Sequence, residues 1–254
     1  MGPTALFCSP HFDDVAFSTG GTLIGLARRG WRIVLATAFT ASVPDPSGFA
    51  LACQTDKGLA PEVDYMALRR DEDEVFAERA GVDELVWLGH REAPHRGYDS
   101  PPALFGPLRD DDGAAATLAA ALRPLIARLD PDVVFAPQAV GSHVDHRQLV
   151  RAMLTTAPEP GCDDRVCWYR DLPYGLRDPL ALPPLPLPPD LDEHTIDIRA
   201  TASAKVAACA AYRSQLGFQF GGPAGLTALI DPPTERVLAP PAVTGLWAET
   251  ARYG

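Results

Sequence analysis

The sequence predicts an α/β fold, a Rossmann-like, mostly parallel sheet flanked by helices. Three observations carry that reading: apolar runs of strand length alternate with helical segments, the first three elements run strand, helix, strand, and the loops richest in His and Asp directly follow strands. Thr4 to Ser9 (TALFCS) is a short apolar run halted by Pro10, a buried strand that enters a loop from His11 to Asp14. From Val15 to Arg29 the residues Val15, Leu23, Leu26 and Ala27 recur on one helical face, and Gly30 supplies the stop. Trp31 to Phe39 (WRIVLATAF) is β-rich again, which completes a βαβ unit and with it a parallel pairing.

Ala41 to Glu62 shows no period and holds Pro44, Pro46, Gly48, Gly58 and Pro61, so a long loop is expected there. A charged helix over Met66 to Ala80 and a strand over Glu84 to Leu88 follow, then an irregular stretch from Pro94 to Asp112. Ala114 to Leu129 reads as a helix, Asp132 to Pro137 as the fourth strand, His146 to Thr155 as a helix and Arg165 to Tyr169 as a strand. Within a Pro-rich segment near 179–190, Leu180 to Asp190 must be extended, because repeated proline forbids a helix. A last amphipathic helix is expected over Ala202 to Leu216, and the 254 residues, with no internal repeat, suggest one domain over 1–254.

Lys and Arg total 22 against 33 Asp and Glu, a net charge of -11 that repels a phosphate backbone or an anionic membrane surface. The pairs Arg28-Arg29 and Arg69-Arg70 read as solvated helix faces, so no nucleic-acid partner is expected. The five cysteines (Cys8, Cys53, Cys162, Cys167, Cys209) are scattered without a C-x-x-C pair, which suits reduced, buried thiols. Met1 to Cys8 lacks the features of a signal peptide, and no apolar stretch approaches the roughly 18 residues of a membrane span, so a cytoplasmic protein without membrane insertion is expected. Gly20-Gly21 is not a G-x-G-x-x-G following a strand, which argues against a dinucleotide site.

Chemistry concentrates in two loops. Ser9-Pro10-His11-Phe12-Asp13-Asp14 follows the first strand, and Gly141-Ser142-His143-Val144-Asp145-His146 follows the fourth. Together they hold three of the chain's 6 His residues, and in open α/β sheets ligands bind at the carboxyl ends of strands. A catalytic zinc takes His and carboxylate ligands at three positions and keeps one open for water, a count that His11, Asp14 and His146 satisfy. Asp13 is then free to take a proton from the attacking water, and His143 to assist the oxyanion or the leaving amine. Asp145 joins the catalytic set as the carboxylate that orients one of the histidines.

The two loops resemble the signature of the LmbE-like (PIG-L) family of zinc-dependent N-deacetylases, a His-Pro-Asp-Asp-like loop early in the chain and a His-Pro-Asp-His-like loop in the middle. The resemblance implies His11, Asp14 and His146 as ligands of one Zn2+ per chain, with another divalent metal left open, Asp13 as general base and His143 as transition-state stabiliser. Weaker likenesses at Arg69 to Asp73, at Leu88 to Ala93 with Arg96, and from Lys205 to Gln215 extend it over about residues 4 to 217. Phe12 and Val144 stand where the family usually has proline, Val15 where many members have Glu, Glu92 where most have Asp, and Gly141 where some have Tyr. Ligation depends on none of these. The resemblance implies hydrolysis of the N-acetyl group of an amino sugar or glycoconjugate, a reaction that in this family often serves secondary metabolism. The residues leave open an amidase on another amide, such as a thiol conjugate, and a metal-retaining binding protein, and a homo-oligomer also stays open.

Arg69, Glu92 and Arg96 are the candidate substrate contacts. Arg69 and Glu72, three apart on a helix, alternatively form a surface ion pair. Trp168, Tyr169, Tyr174 and Trp247 are expected mainly in the core, with stacking on a sugar as the alternative, and Tyr212, Ser214 and Gln215 are expected to fix the last helix.

Overall fold

Seven strands among the described residues make one sheet: β1 (Thr4–Ser9), β2 (Arg32–Thr37), β3 (Glu84–Trp87), β4 (Val133–Pro137), β5 (Val166–Tyr169), β6 (Asp192–Asp197) and β7 (Thr234–Ala239). Their order is β3-β2-β1-β4-β5-β7-β6. The first five pair in parallel, while β7 lies antiparallel to both β5 and β6. The structure is a computed structural model that describes residues 2–156, 163–174, 182 and 185–243. The expected α/β class and its mostly parallel sheet are therefore present.

Ala5 to Ser9 and all of β4 are buried, as strands covered on both faces must be. Side chains alternate between two cores. Phe7 and Phe135, neighbours in register, stack at 4.4 Å beneath α1 (Asp14–Arg28) and α3 (Tyr65–Ala80). Leu6 and Val134 point the other way, against α5 (Ala114–Leu129) and α6 (Val144–Thr156). Trp168 and Tyr169 are core residues, and Trp247 lies outside the described residues.

The structure departs from the sequence reading where side chains from distant elements decide the local conformation. The expected loop from Ala41 to Glu62 contains α2 (Gly48–Thr55), and Gln54 at its end donates from Nε2 to the Ala60 and Val63 carbonyls, tying the following Pro-containing turn to it. The stretch expected to be irregular before Asp112 holds a 3-10 turn, Ala93–Arg96, and one helical turn, α4 (Pro101–Leu104). The helix expected over Ala202 to Leu216 is two, α7 (Ala202–Cys209) and α8 (Arg213–Phe220), followed by α9 (Pro223–Leu229). Its break lies where Tyr212 donates to Asp73 and Ser214 donates to Glu72, so tertiary hydrogen bonds override the continuous period. Strands β6 and β7 were not expected at all. They pair with one another over six residues; β6 is the edge strand, and the alternating exposure of β7 beside it is that of a sheet covered mainly on one face. Of the Pro-rich segment, residues 179–181 and 183–184 lie outside the described residues, and Leu185 to Pro188 form neither helix nor strand.

Helix α1 is interrupted at Thr19 (φ -141°, ψ 19°). Glu235 of β7 compensates, accepting hydrogen bonds from Gly21 N and Thr22 N at 2.8 Å, and Lys205 Nζ donates to Glu235 and to the Phe17 carbonyl, each at 2.7 Å. Lys205 and Glu235 are both buried. Removing one member of such a pair strands the other, so Lys205→Met is expected to cost about 3 kcal/mol in a denaturant melt, and Lys205→Met with Glu235→Gln is expected to recover part of it.

A candidate metal centre at the carboxyl edge of the sheet

Chain order reverses between β1 and β4, and the loops that leave these adjacent parallel strands meet at their carboxyl ends. The first is wound tightly. Ser9 Oγ donates to the His11 carbonyl and accepts from Val15 N, and the Asp14 carboxylate accepts from His11 N at 2.8 Å. Asp13 occupies the N-cap position of α1 but makes no capping bond, and its carboxylate lines the cavity instead. The second loop passes through left-handed backbone at Ala139, Gly141 and Ser142. At Gly141 (φ 87°) a Cβ would fall 2.5 Å from Tyr174 Cβ, which is why no side chain stands there.

His11, Asp14 and His146 offer ligand atoms within 4.8 Å of one another, all buried. Asp14 Oδ2 lies 3.0 Å from His11 Nδ1 and 3.2 Å from His146 Nε2. The opposite ring nitrogens are held by carboxylates: His11 Nε2 by Asp145 at 2.9 Å, His146 Nδ1 by Asp171 at 2.6 Å. This leaves His11 Nδ1 and His146 Nε2 as the atoms that face Asp14. Histidine ligands to metals are ordinarily held this way, their far nitrogen on a carboxylate.

Two observations test whether a divalent metal suits these residues. His146 Nε2 is buried and, although 3.2 Å from Asp14 Oδ2, makes no aligned hydrogen bond, so its lone pair or proton is left in the place a ligand atom would occupy. Burial opposes the charged form of His11, yet hydrogen bonds to Asp14 and Asp145 outweigh it and push the imidazole up to about 10. Burial likewise opposes charge on His146, but the Asp14 carboxylate and the bond to Asp171 raise it to about 9. Asp14 itself, despite burial, is held well below the usual carboxylate range by His146 and His11. A field that demands positive charge from two imidazoles is one that a divalent cation can satisfy, in competition with those protons. The residues fit a metal.

Asp13 Oδ1 accepts from Arg69 Nη2 at 2.5 Å, and Arg69 Nη1 donates to Glu92 at 2.9 Å. Burial raises the Asp13 pKa against the attraction of Arg69. The alternative of a surface pair between Arg69 and Glu72 is overturned: Arg69 is buried, and Glu72 instead receives the first turn of α8 at Ser214. His143 is pushed down to about 3, chiefly by burial, and its Nδ1 accepts from Asp145 N at 3.2 Å, so the neutral ring carries its proton on Nε2.

A cavity of about 540 Å³ opens beside this cluster, lined at its inner end by His11, Asp13, Arg69, Glu92, His143 and Asp145. Arg96, expected to contact substrate, is not among the lining residues. Its guanidinium lies behind Asp145, with Nη2 2.7 Å from Asp145 Oδ1 and 3.0 Å from Asp112, stacked over the rings of Phe39 and Tyr98. Arg96 thus braces the carboxylate that holds His11. Asp145 also accepts from Ala93 N at 3.0 Å, which puts it in the orienting place expected of it. Asp171 and Asp112 escaped the sequence reading. Asp171 stands two residues beyond β5, and an acid just past a strand end was the available signal. Of Tyr212, Ser214 and Gln215, the first two tie α8 to α3, while Gln215 donates to the Tyr65 hydroxyl and also lines the cavity.

A doubly wound sheet with two histidines and an aspartate gathered at its switch point, beside an acid and a neutral imidazole, defines an α/β protein built around a candidate metal-dependent site. The chain belongs to the PIG-L family, described as GlcNAc-PI de-N-acetylase, which its residues 6–157 match. It is 37% identical over 174 residues to 2'-N-acetylparomamine deacetylase of Streptomyces fradiae, a match covering 68% of this chain and 58% of that protein. Its fold is similar to the zinc-inhibited form of teicoplanin deacetylase (TM-score 0.77, 23% identity, covering 92% of this chain and 97% of the other). It is also similar to the A40926 pseudoaglycone deacetylase (TM-score 0.77, 25% identity, covering 92% and 96%).

If Asp171 holds His146 and Arg96 braces the Asp145 that holds His11, Asp171→Ala and Arg96→Met should each weaken binding of a divalent metal by about 10–100-fold in a chelator-competition titration. Unchanged affinity in both variants would remove the bracing role from these residues.

Proposed function

We propose that the protein hydrolyses the acetamide of an N-acetylated amino sugar or glycoconjugate, releasing acetate and a free amine, with one zinc ion per chain held by His11, Asp14 and His146. The observation that carries this reading is the placement of that cluster beside Asp13 and His143 at the inner end of one cavity. The family and the relatives named as deacetylases support it. A zinc ion at this position supplies Lewis-acid polarisation of the amide carbonyl and of water.

The chain's own groups do the rest. Asp13 is anchored through Oδ1 to Arg69, and its raised proton affinity suits it to take a proton from water as the water oxygen bonds to the carbonyl carbon. His143, neutral with Nε2–H as its donor, is disposed to hydrogen-bond the carbonyl oxygen as that oxygen becomes anionic. Collapse then breaks the C–N bond, and the proton gathered by Asp13 passes to the departing amine. Arg69 and Glu92 face the same chamber and are assigned to sugar hydroxyls through the donors and acceptors they do not spend on each other. No described helix is long and apolar enough to cross a membrane, and the excess of acid disfavours nucleic acid, which suits a small-molecule substrate.

The test is metal analysis of the purified protein together with acetate release from N-acetylglucosaminides, with and without chelator. About one zinc per chain and activity that chelator removes and zinc restores are expected. Asp13→Ala is expected to keep the metal while losing on the order of 10²–10⁴ in turnover, and His11→Ala to lose both. Absence of metal after zinc is resupplied, or wild-type turnover in Asp13→Ala, would overturn the reading.

A further inference from the structure

The outer half of the cavity is chemically unlike its inner end. Its walls come from Phe49, Cys53 and Lys57 of α2 and the turn after it, from Leu104 and Phe105 at α4, and from Phe218 of α8. Phe218 is 58% exposed and Phe105 39% exposed, and these are two of the three large hydrophobic residues exposed among the described residues. A phenylalanine left in water forgoes the stabilisation of burial, and exposed apolar surface that continues a binding site marks a place for ligand. The Phe105 ring stands edge-on to His143 at 5.4 Å, so this surface runs without a break to the reacting end.

The charges along the cavity are already committed. Asp13 and Glu92 are paired with Arg69, and Asp145 with His11 and Arg96. Asp56 is the one lining carboxylate without an ion pair among the described residues, and it is exposed at the rim. Lys57 has no carboxylate within ion-pair distance among the described residues. Its ammonium donates to the Cys53 carbonyl at 2.5 Å and lies over the rings of Tyr65 and Phe218, at 5.0 and 5.1 Å. A ligand rich in ammonium groups would meet this cation and find every buried acid of the lining already paired. An apolar group would meet the rings of Phe49, Phe105 and Phe218, which line the same cavity.

We propose that this outer chamber is an aglycone subsite, and that the substrate is an N-acetylated amino sugar bearing an apolar aglycone, aryl or alkyl, with no cationic amine at that end. The inference rests on the proposed deacetylation, with the acetamide at the inner cluster and the aglycone between Phe105 and Phe218.

The experiment compares kcat/KM for acetate release from methyl, octyl and 4-nitrophenyl N-acetylglucosaminides, both anomers, and from the amine-bearing 2'-N-acetylparomamine. The octyl or aryl glycoside is expected to exceed the methyl glycoside by about tenfold or more, mostly through KM, and to exceed the paromamine substrate. Which of the two leads tells alkyl from aryl. Phe218→Ser is expected to bring the ratio of apolar to methyl glycoside close to one, and Lys57→Glu to shift preference toward the paromamine substrate. Equal rates for all glycosides, a ratio that survives Phe218→Ser, or a lead for the paromamine substrate would overturn the subsite while leaving deacetylation standing. If none of the four releases acetate, the reaction is refuted and the subsite is read by calorimetric binding of the octyl and 4-nitrophenyl glycosides to the zinc-loaded protein. Weaker binding in Phe218→Ser then supports it, and no binding or equal binding overturns it.

Discussion

The parallel pairing of β1 with β4 is the contact on which the site depends. Ala5, Leu6 and Phe7 lie in register with Val133, Val134 and Phe135, and stacking of Phe7 on Phe135 locks that register from within the core. Because the two strands run the same way, both of their loops emerge at one edge, and residues more than a hundred positions apart come to share Asp14. A shift of one residue would turn the inward side chains to the other face and separate the loops. The chemistry at the edge is therefore paid for by apolar packing that has no chemistry of its own.

Around the site the protein buries an unusual density of charge and leaves little of it alone. Arg69 answers Asp13 and Glu92, Arg96 answers Asp112 and Asp145, and Asp171 answers His146. Each of these groups costs desolvation that only a partner at hydrogen-bond distance can offset. The result is a set of side chains whose orientations are fixed before any ligand arrives, which is the condition for holding a metal and a reacting amide in register. His146 Nε2 lies 3.2 Å from Asp14 Oδ2 without an aligned hydrogen bond, at the point where the ligand atoms converge.

The two ends of the cavity are built by different means. The inner end stands on strand termini of a rigid sheet. The outer end stands on short helices and their turns, which present Phe49, Lys57, Phe105 and Phe218 from three separate segments. Bond-making groups thus sit where the backbone is best fixed, and the groups that would sort one substrate from another sit on connecting segments, where sequence can change without disturbing the sheet.

Read as a string of residues, the chain already determined its first five strands, the helices that alternate with them and the two loops with His and Asp, because these rest on local signals: apolar runs, proline stops and the short spacing of His11 to Asp14 and His143 to His146. The family likeness pointed to five residues of these loops, His11, Asp13, Asp14, His143 and His146. What only the tertiary structure decided lies in contacts between distant segments. That Arg69 serves Asp13 and not Glu72, that Arg96 stands behind Asp145 and not in the cavity, that Asp171 holds His146 and that a continuous helical period breaks at Tyr212 all follow from partners far away along the chain. The same holds for β6 and β7, whose polar-rich strands, DEHTID and TERVLA, lack the apolar run of the first five and are set by their pairing. A local pattern encodes a conformation, but the partner of a buried charge is set by which elements the sheet brings side by side.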